Sequence, residues 1–185
     1  MAALIPKRMF FTKGCGFHRN KLQSFELALR SSGIERCNLV TVSSICPPEC
    51  KIISKEAGIS QLHSGQITFV VMAREATNEP NRLVGAAIGL AQPSDKLQYG
   101  YISEHHGFGE TQKKASDFAE DLAATMLAST LGIEMDPDKA WNERKQLYIT
   151  EKNRQFKSRS IAQTAKGHKD GLWTTVIACA VMLLD

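Results

Sequence analysis

The sequence predicts a single α+β domain, a layered sandwich of mainly antiparallel sheet with helices packed on it. Three observations carry that expectation. The chain has 185 residues, enough to bury one core and too few for two comfortable domains, so residues 1–185 are read as one unit. Between about residues 66 and 106, β-rich runs are separated only by short turn-like linkers, which favours antiparallel neighbours. Two stretches with helical apolar spacing flank those runs and need a sheet on which to lay their faces.

In chain order, Met9-Phe10-Phe11-Thr12 reads as a short strand, after which Gly14 and Gly16 permit a tight turn. Asn20 followed by Gln23 is a helix-start signal. Leu22, Phe25 and Leu29 then recur at helical spacing before Gly33, which predicts a helix over 21–32. On it Glu26 faces Arg30, ordinarily an exposed pair stabilising the helix by about 0.2–0.5 kcal/mol. Cys37 to Val42 predicts a strand, Lys51-Ile52-Ile53 a short extended piece, and Ser54 the cap of a brief helix to Leu62.

Strands follow at about 66–74, 82–91 and 98–106, joined through Thr77-Asn78-Glu79-Pro80-Asn81 and Pro93-Ser94-Asp95 as an antiparallel meander. Gly85, Ala86, Ala87, Gly89 and Gly100 thin these strands for close backbone approach. The longest helix spans about Glu110 to Leu131, with Ala115, Phe118, Ala119, Leu122, Ala123, Met126 and Leu127 on one face and Gly132 after it. Residues 135–159 are charge-rich and hold Trp141, Tyr148 and Phe156, which reads as a solvated excursion with its aromatics tucked under the domain. A hairpin closes the chain: Ile161 to Ala165, the turn Gly167 to Gly171, and a strand from Leu172.

Composition narrows the functional classes. Net charge is +4, and the basic residues are scattered: residues 1–43 hold seven Lys/Arg against two Glu, leaving −1 for the remainder, so a nucleic-acid partner is not expected. Five cysteines, at 15, 37, 46, 50 and 179, form no disulfide framework and read as reduced thiols. Cys46 and Cys50 lack a second ligand pair at zinc-finger spacing, and His105 and His106, as strand neighbours, point to opposite faces. No metal is therefore expected. The N-terminus lacks the basic-then-apolar order of a signal peptide. The longest apolar run, Leu172 to Leu184, is shorter than the ~20 residues of a bilayer span. No membrane partner and a cytoplasmic location follow as expectations.

The stretch that carries chemistry is Thr41-Val42-Ser43-Ser44-Ile45-Cys46-Pro47-Pro48. A hydroxyl on Ser44 held against the carbonyl carbon of Ser43 can convert that amide to an ester. Elimination then releases the upstream chain, and hydrolysis of the dehydroalanine left at residue 44 gives a terminal ketone. Such a ketone forms a Schiff base with an amine and accepts the electrons left by decarboxylation, without added pyridoxal phosphate. Taken alone, a serine pair before Pro-Pro is also an ordinary strand end. Glu104, on a strand face with Ile102 and Gly100, reads either as a partly desolvated acid able to return a proton or as a rim glutamate paired with a lysine.

The run from Gly33 through Glu35, Arg36, Asn38 and Ser43-Ser44 to Pro48 resembles the processing-site region of pyruvoyl-dependent arginine decarboxylases. The likeness extends upstream through Phe25, Glu26 and Leu29 and downstream to Gly100-Tyr101-Ile102-Ser103-Glu104 with Gly107. This resemblance implies self-cleavage between Ser43 and Ser44, giving a β-chain of residues 1–43 and an α-chain of 44–185 that begins with a pyruvoyl group made from Ser44. It implies conversion of arginine to agmatine and carbon dioxide, Glu104 as the catalytic acid, and Asn38 assisting processing by polarising the carbonyl under attack. It also implies trimers of cleaved pairs with active sites between protomers. At the position where the family has an aspartate for the substrate guanidinium, this chain has Glu26, which keeps the charge and lengthens the arm by one methylene. The alternatives are the same chemistry on another amino acid and an uncleaved, non-enzymatic oligomer subunit.

Overall fold

A computed structural model describes residues 4–132 and 156–184. Its strands are β1 (Arg8–His18), β2 (Asn38–Thr41), β3 (Ile45–Cys46), β4 (Lys51–Ile52), β5 (Ile67–Thr77), β6 (Leu83–Pro93), β7 (Gly100–Phe108), β8 (Phe156–Lys166) and β9 (Trp173–Leu183). Its helices are α1 (Lys21–Ser32), α2 (Lys55–Ile59) and α3 (Gln112–Thr130). The expected excursion with Trp141 and Tyr148 lies outside the described residues. No described helix is long and apolar enough to cross a membrane.

The strands form two stacked sheets, one ordered β2-β5-β9-β1-β4 and the other β3-β7-β6-β8. Between them lies an apolar core in which Val71, Ala178 and Ala180 of the first sheet meet Val84, Ile88 and Ile102 of the second. α1 and α2 cover the outer face of the five-stranded sheet, where Phe10, Ala28, Ile34, Val70 and Ile177 pack together. On the outer face of the four-stranded sheet, Ala87 and Ala91 meet Ala115, Ala119, Ala123 and Leu127 of α3. The expected sandwich is thus a four-layer stack, and most strand pairs are antiparallel, with β1–β4 and β2–β5 parallel.

Local signals set several boundaries. Asn20 caps α1 by accepting from the N–H groups of Leu22 and Gln23, and Gly33 ends it in the left-handed region at φ 83°, where an L side chain is strained. Ser54 caps α2, which closes at Ile59, short of the expected Leu62. β2 starts at Asn38 and stops at Thr41, inside the expected 37–42.

Five expectations are corrected. Gly14 and Gly16 make no turn, because β1 runs straight through them and pairs with β9 along its whole length. Their role is proximity: a Cβ on Gly14 would strike the Ala28 carbonyl, and one on Gly16 the Ser24 carbonyl of α1. The buried ridge of α1 is correspondingly Ser24, Ala28 and Ser32, while Leu22 stays 75% exposed. α3 follows the same rule. Its buried ridge is alanine apart from Leu127 near the C-terminal end; Gly89 of β6 sits under the Ala119 carbonyl, and Phe118 and Leu122 are left outside because a large side chain at this close approach would hold the layers apart.

The β5–β6–β7 meander and the β8–β9 hairpin are not formed as expected. β5 is flanked on both edges by β2 and β9, so β6 crosses to the other sheet, where only the β6–β7 half of the meander pairs. β8 likewise pairs with β6 rather than with β9. The two crossings run side by side, joined by Gly167 N–H to the Arg82 carbonyl at 2.7 Å and Asn81 N–H to the Gly167 carbonyl at 2.9 Å.

Substituting Gly14 with valine is expected to cost about 1–3 kcal/mol or more, read as a lower urea midpoint, because the added atoms meet backbone that cannot yield. The same change at Gly107, where a Cβ meets nothing within 4 Å, is expected to leave the midpoint nearly unchanged.

Candidate active site

The Ser43–Ser44 peptide is the link on which the chain passes from one sheet to the other. On its upstream side, β2 ends in the five-stranded sheet and the Val42 N–H donates to the Val70 carbonyl at 3.0 Å. On its downstream side, β3 begins in the four-stranded sheet, where the Ser44 carbonyl accepts from the Ile102 N–H at 2.7 Å and Ile45 pairs with Tyr101. The bond is pinned within one residue at each end by two sheets that share a core. Ser43 is exposed and Ser44 half-buried. A hydroxyl attacking its own main chain needs this kind of restraint, since restricting the approach of two groups removes much of the entropic part of a barrier.

Glu104 stands on the same strand as the downstream anchor. Ser103 turns its hydroxyl to the Ala119 carbonyl of α3, so Ile102 and Glu104, at alternate positions, face the other way. Ile102 enters the core between the sheets, and Glu104 lies two residues further along, about 7 Å by strand rise. Glu104 is exposed in the single chain, and the partial burial it does have raises its carboxyl above the ordinary value, an effect the positive charge of His106 partly offsets. His105 turns to the α3 side, where it meets Glu110 at 2.6 Å and the Phe118 ring at 4.4 Å. The two histidines therefore diverge, and among the described residues no three metal-ligating side chains gather.

Asn38 and Glu26 sit elsewhere within one chain. Asn38 opens β2, its amide donating to the Gly65 carbonyl at 2.9 Å, and β2 alone separates it from Thr41 by about 10 Å. Glu26 is on α1, across the five-stranded sheet from the layer that carries Glu104, and accepts from Arg30 Nε at 2.6 Å. Beside it on the same helix, Lys21, Leu22 and Phe25 line a cavity of about 300 Å³ with Arg74, Ala76 and Thr175; the Arg74 guanidinium lies 4.5 Å from the Phe25 ring. One strand pairing sets Ser44 against Ile102, two residues from Glu104 on the same strand; Asn38 lies at the far end of β2 and Glu26 on α1.

Sequence reasoning missed both tethers of the Ser43–Ser44 bond. They use backbone atoms of Val70 and Ile102, and no side-chain pattern announces which backbone group lies opposite another. It also missed Gln92, whose amide reaches both Cys46 Sγ at 3.5 Å and the Cys50 carbonyl at 3.1 Å, holding the turn that follows β3.

Comparison with known proteins adds independent findings. Residues 8–185 match the family model described as pyruvoyl-dependent arginine decarboxylase. A probable pyruvoyl-dependent arginine decarboxylase of Chloroherpeton thalassium is 59% identical over 179 residues, covering 97% of this chain and 98% of that protein. The pyruvoyl-dependent arginine decarboxylase of Methanococcoides burtonii is 54% identical over 181 residues, 98% of this chain and 100% of its own. Pyruvoyl-dependent arginine decarboxylase 2 of Methanosarcina mazei is 53% identical over 180 residues, 97% of this chain and 98% of its own.

Proposed function

Because this chain belongs to the pyruvoyl-dependent arginine decarboxylase family, we propose that it is a carboxy-lyase converting arginine to agmatine and carbon dioxide with a pyruvoyl group made from its own Ser44. The observation that carries this reading is the Ser43–Ser44 crossing, held by Val70 on one side and Ile102 on the other. The Ser44 oxygen adds to the Ser43 carbonyl carbon, and the amide nitrogen leaves as the ester forms. Elimination then frees a carboxylate on Ser43, and water replaces ammonia at residue 44. Neither tether spans the broken bond, so both survive it.

The upstream fragment also stays in place. It contains β1, which is paired with β9 from Arg8↔Leu183 to His18↔Trp173, together with α1 and β2. The group suits its setting, because the carbonyl of residue 44 remains fixed by Ile102 and the strand bearing it leads toward an acid. Once formed, the keto group supplies an electrophilic carbon for the substrate amine and a sink for the electron pair left by carbon dioxide. Glu104, which burial favours in its protonated form, delivers a proton to the carbon that lost the carboxylate.

Glu26 holds the substrate guanidinium on this reading, and since α1 and β7 lie in different layers, the pocket is completed between neighbouring copies. We assign the assembly as a trimer of cleaved pairs, in which Asn38 of one copy reaches the processing site of another. No pyridoxal phosphate and no metal take part. The five cysteines are free thiols, in keeping with a reducing cytoplasm.

The test of substrate choice is carbon dioxide release from arginine, lysine, ornithine, histidine and aspartate. Arginine is expected to be fastest by a wide margin, and equal rates on any other would overturn the assignment. Glu26→Gln is expected to raise KM for arginine about 10- to 100-fold with kcat largely kept, the signature of losing a charged hydrogen bond used in binding.

A further inference from the structure

Cys46 and Cys50, too few for a zinc site, stand at the two ends of one short turn. Both are buried, at 1% and 5% exposure, in the core between the sheets. The chain between them folds back tightly: the Cys50 N–H donates to the Pro47 carbonyl at 3.3 Å, the Glu49 N–H to the Lys96 carbonyl at 3.0 Å, and Glu49 takes a φ of 59°. Gln92 spans the turn from Cys46 Sγ to the Cys50 carbonyl. The strongest influence on each thiol is the other. Contact with Cys50 raises Cys46, and burial adds to the rise; contact with Cys46 lowers Cys50 against the effect of burial, helped by the charge of Lys7. Cys50 is thus the more acidic partner, and Cys46 keeps its proton.

We propose that Cys46 and Cys50 are a peroxide-oxidisable dithiol that closes a disulfide across this turn, two residues downstream of Ser44. The Cys50 thiolate attacks one oxygen of hydrogen peroxide; the O–O bond breaks, and the departing hydroxide takes a proton to become water. Cys50 is left as a sulfenic acid. The Cys46 sulfur then attacks the Cys50 sulfur, the S–OH bond breaks, and the hydroxyl leaves with the Cys46 proton as a second water. Peroxide gains the two electrons that the two thiols lose. An oxidant close to water in size suits a pair whose burial excludes bulkier disulfides. The product fixes the turn that carries β3, and with it the backbone next to residue 44.

The experiment treats the full-length protein with hydrogen peroxide, removes the peroxide, unfolds the chain in urea with iodoacetamide to block remaining thiols, and maps peptides by mass. The expected result is a 46–50 segment lighter by about 2 Da, unalkylated, and restored by dithiothreitol. When the peroxide-treated protein is then unfolded in urea with dimedone present, C46S is expected to carry an adduct at Cys50, whereas C50S carries none at Cys46. The proposal is overturned if both thiols remain alkylatable while the half-buried Cys37 oxidises, or if C50S traps dimedone at Cys46 as readily as C46S does at Cys50. Disulfide mapping of the wild-type chain decides the matter even if a serine variant fails to fold, and it is independent of whether arginine is the substrate.

Discussion

Replacing Ser44 with alanine is expected to leave one 20.4 kDa polypeptide and to abolish carbon dioxide release. The substitution removes the only atom that can attack the Ser43 carbonyl and form the ester, and with it the precursor of the ketone. It leaves both backbone tethers intact, Val42 to Val70 and Ile102 to Ser44, so the urea midpoint should match that of an uncleaved wild-type chain. Ser43→Ala separates roles, since Ser43 contributes a carbonyl and not a hydroxyl; this variant is expected to cleave. Ser44→Thr keeps the hydroxyl and should cleave more slowly, its downstream fragment carrying one extra methylene. Cleavage of Ser44→Ala at the same bond, or failure of Ser43→Ala alone, would reverse the assignment of the nucleophile.

Glu104→Gln is expected to cleave normally and to lose about 10²- to 10⁴-fold in kcat, the usual contribution of a positioned proton donor. The amide fills the same space beside Ile102 but has no acidic proton to give. The pH profile supplies the sign. Burial raises the Glu104 carboxyl, so the donor form persists above the ordinary glutamate value; kcat is then high below the folded pKa and falls as pH rises through it. His106 opposes burial, so His106→Ala should move that falling limb to higher pH. Glu104→Gln should lack the limb. A profile that keeps it unchanged in Glu104→Gln would mean that another group supplies the proton.

Much of the fold was legible where the deciding interactions are local. Asn20, Gly33 and Ser54 act on backbone within four residues, and the boundaries of α1 and the start of α2 came out accordingly. Sheet membership was not legible. β5 and β6 are joined by a linker that would also suit a hairpin, and only the occupation of both β5 edges, one by β9 about a hundred residues later in sequence, sends β6 to the other sheet. The glycines at 14 and 16 were misread because turn and close approach leave the same mark in a sequence. The paired ridge of Ser24, Ala28 and Ser32 was the signal that could have told them apart.

In the site, the candidacy of Ser43-Ser44 was legible because it rests on adjacent residues. The distances from Asn38 and Glu26 to that bond were not. Spacing along β2 and α1 says nothing about which layer each faces.

The most direct test of the account is the intact mass of freshly purified, active protein. Self-cleavage at Ser43–Ser44 predicts two chains, residues 1–43 and 44–185, whose masses sum to the unbroken 20.4 kDa chain plus one water and minus one ammonia. A single unbroken chain that releases carbon dioxide from arginine would contradict it.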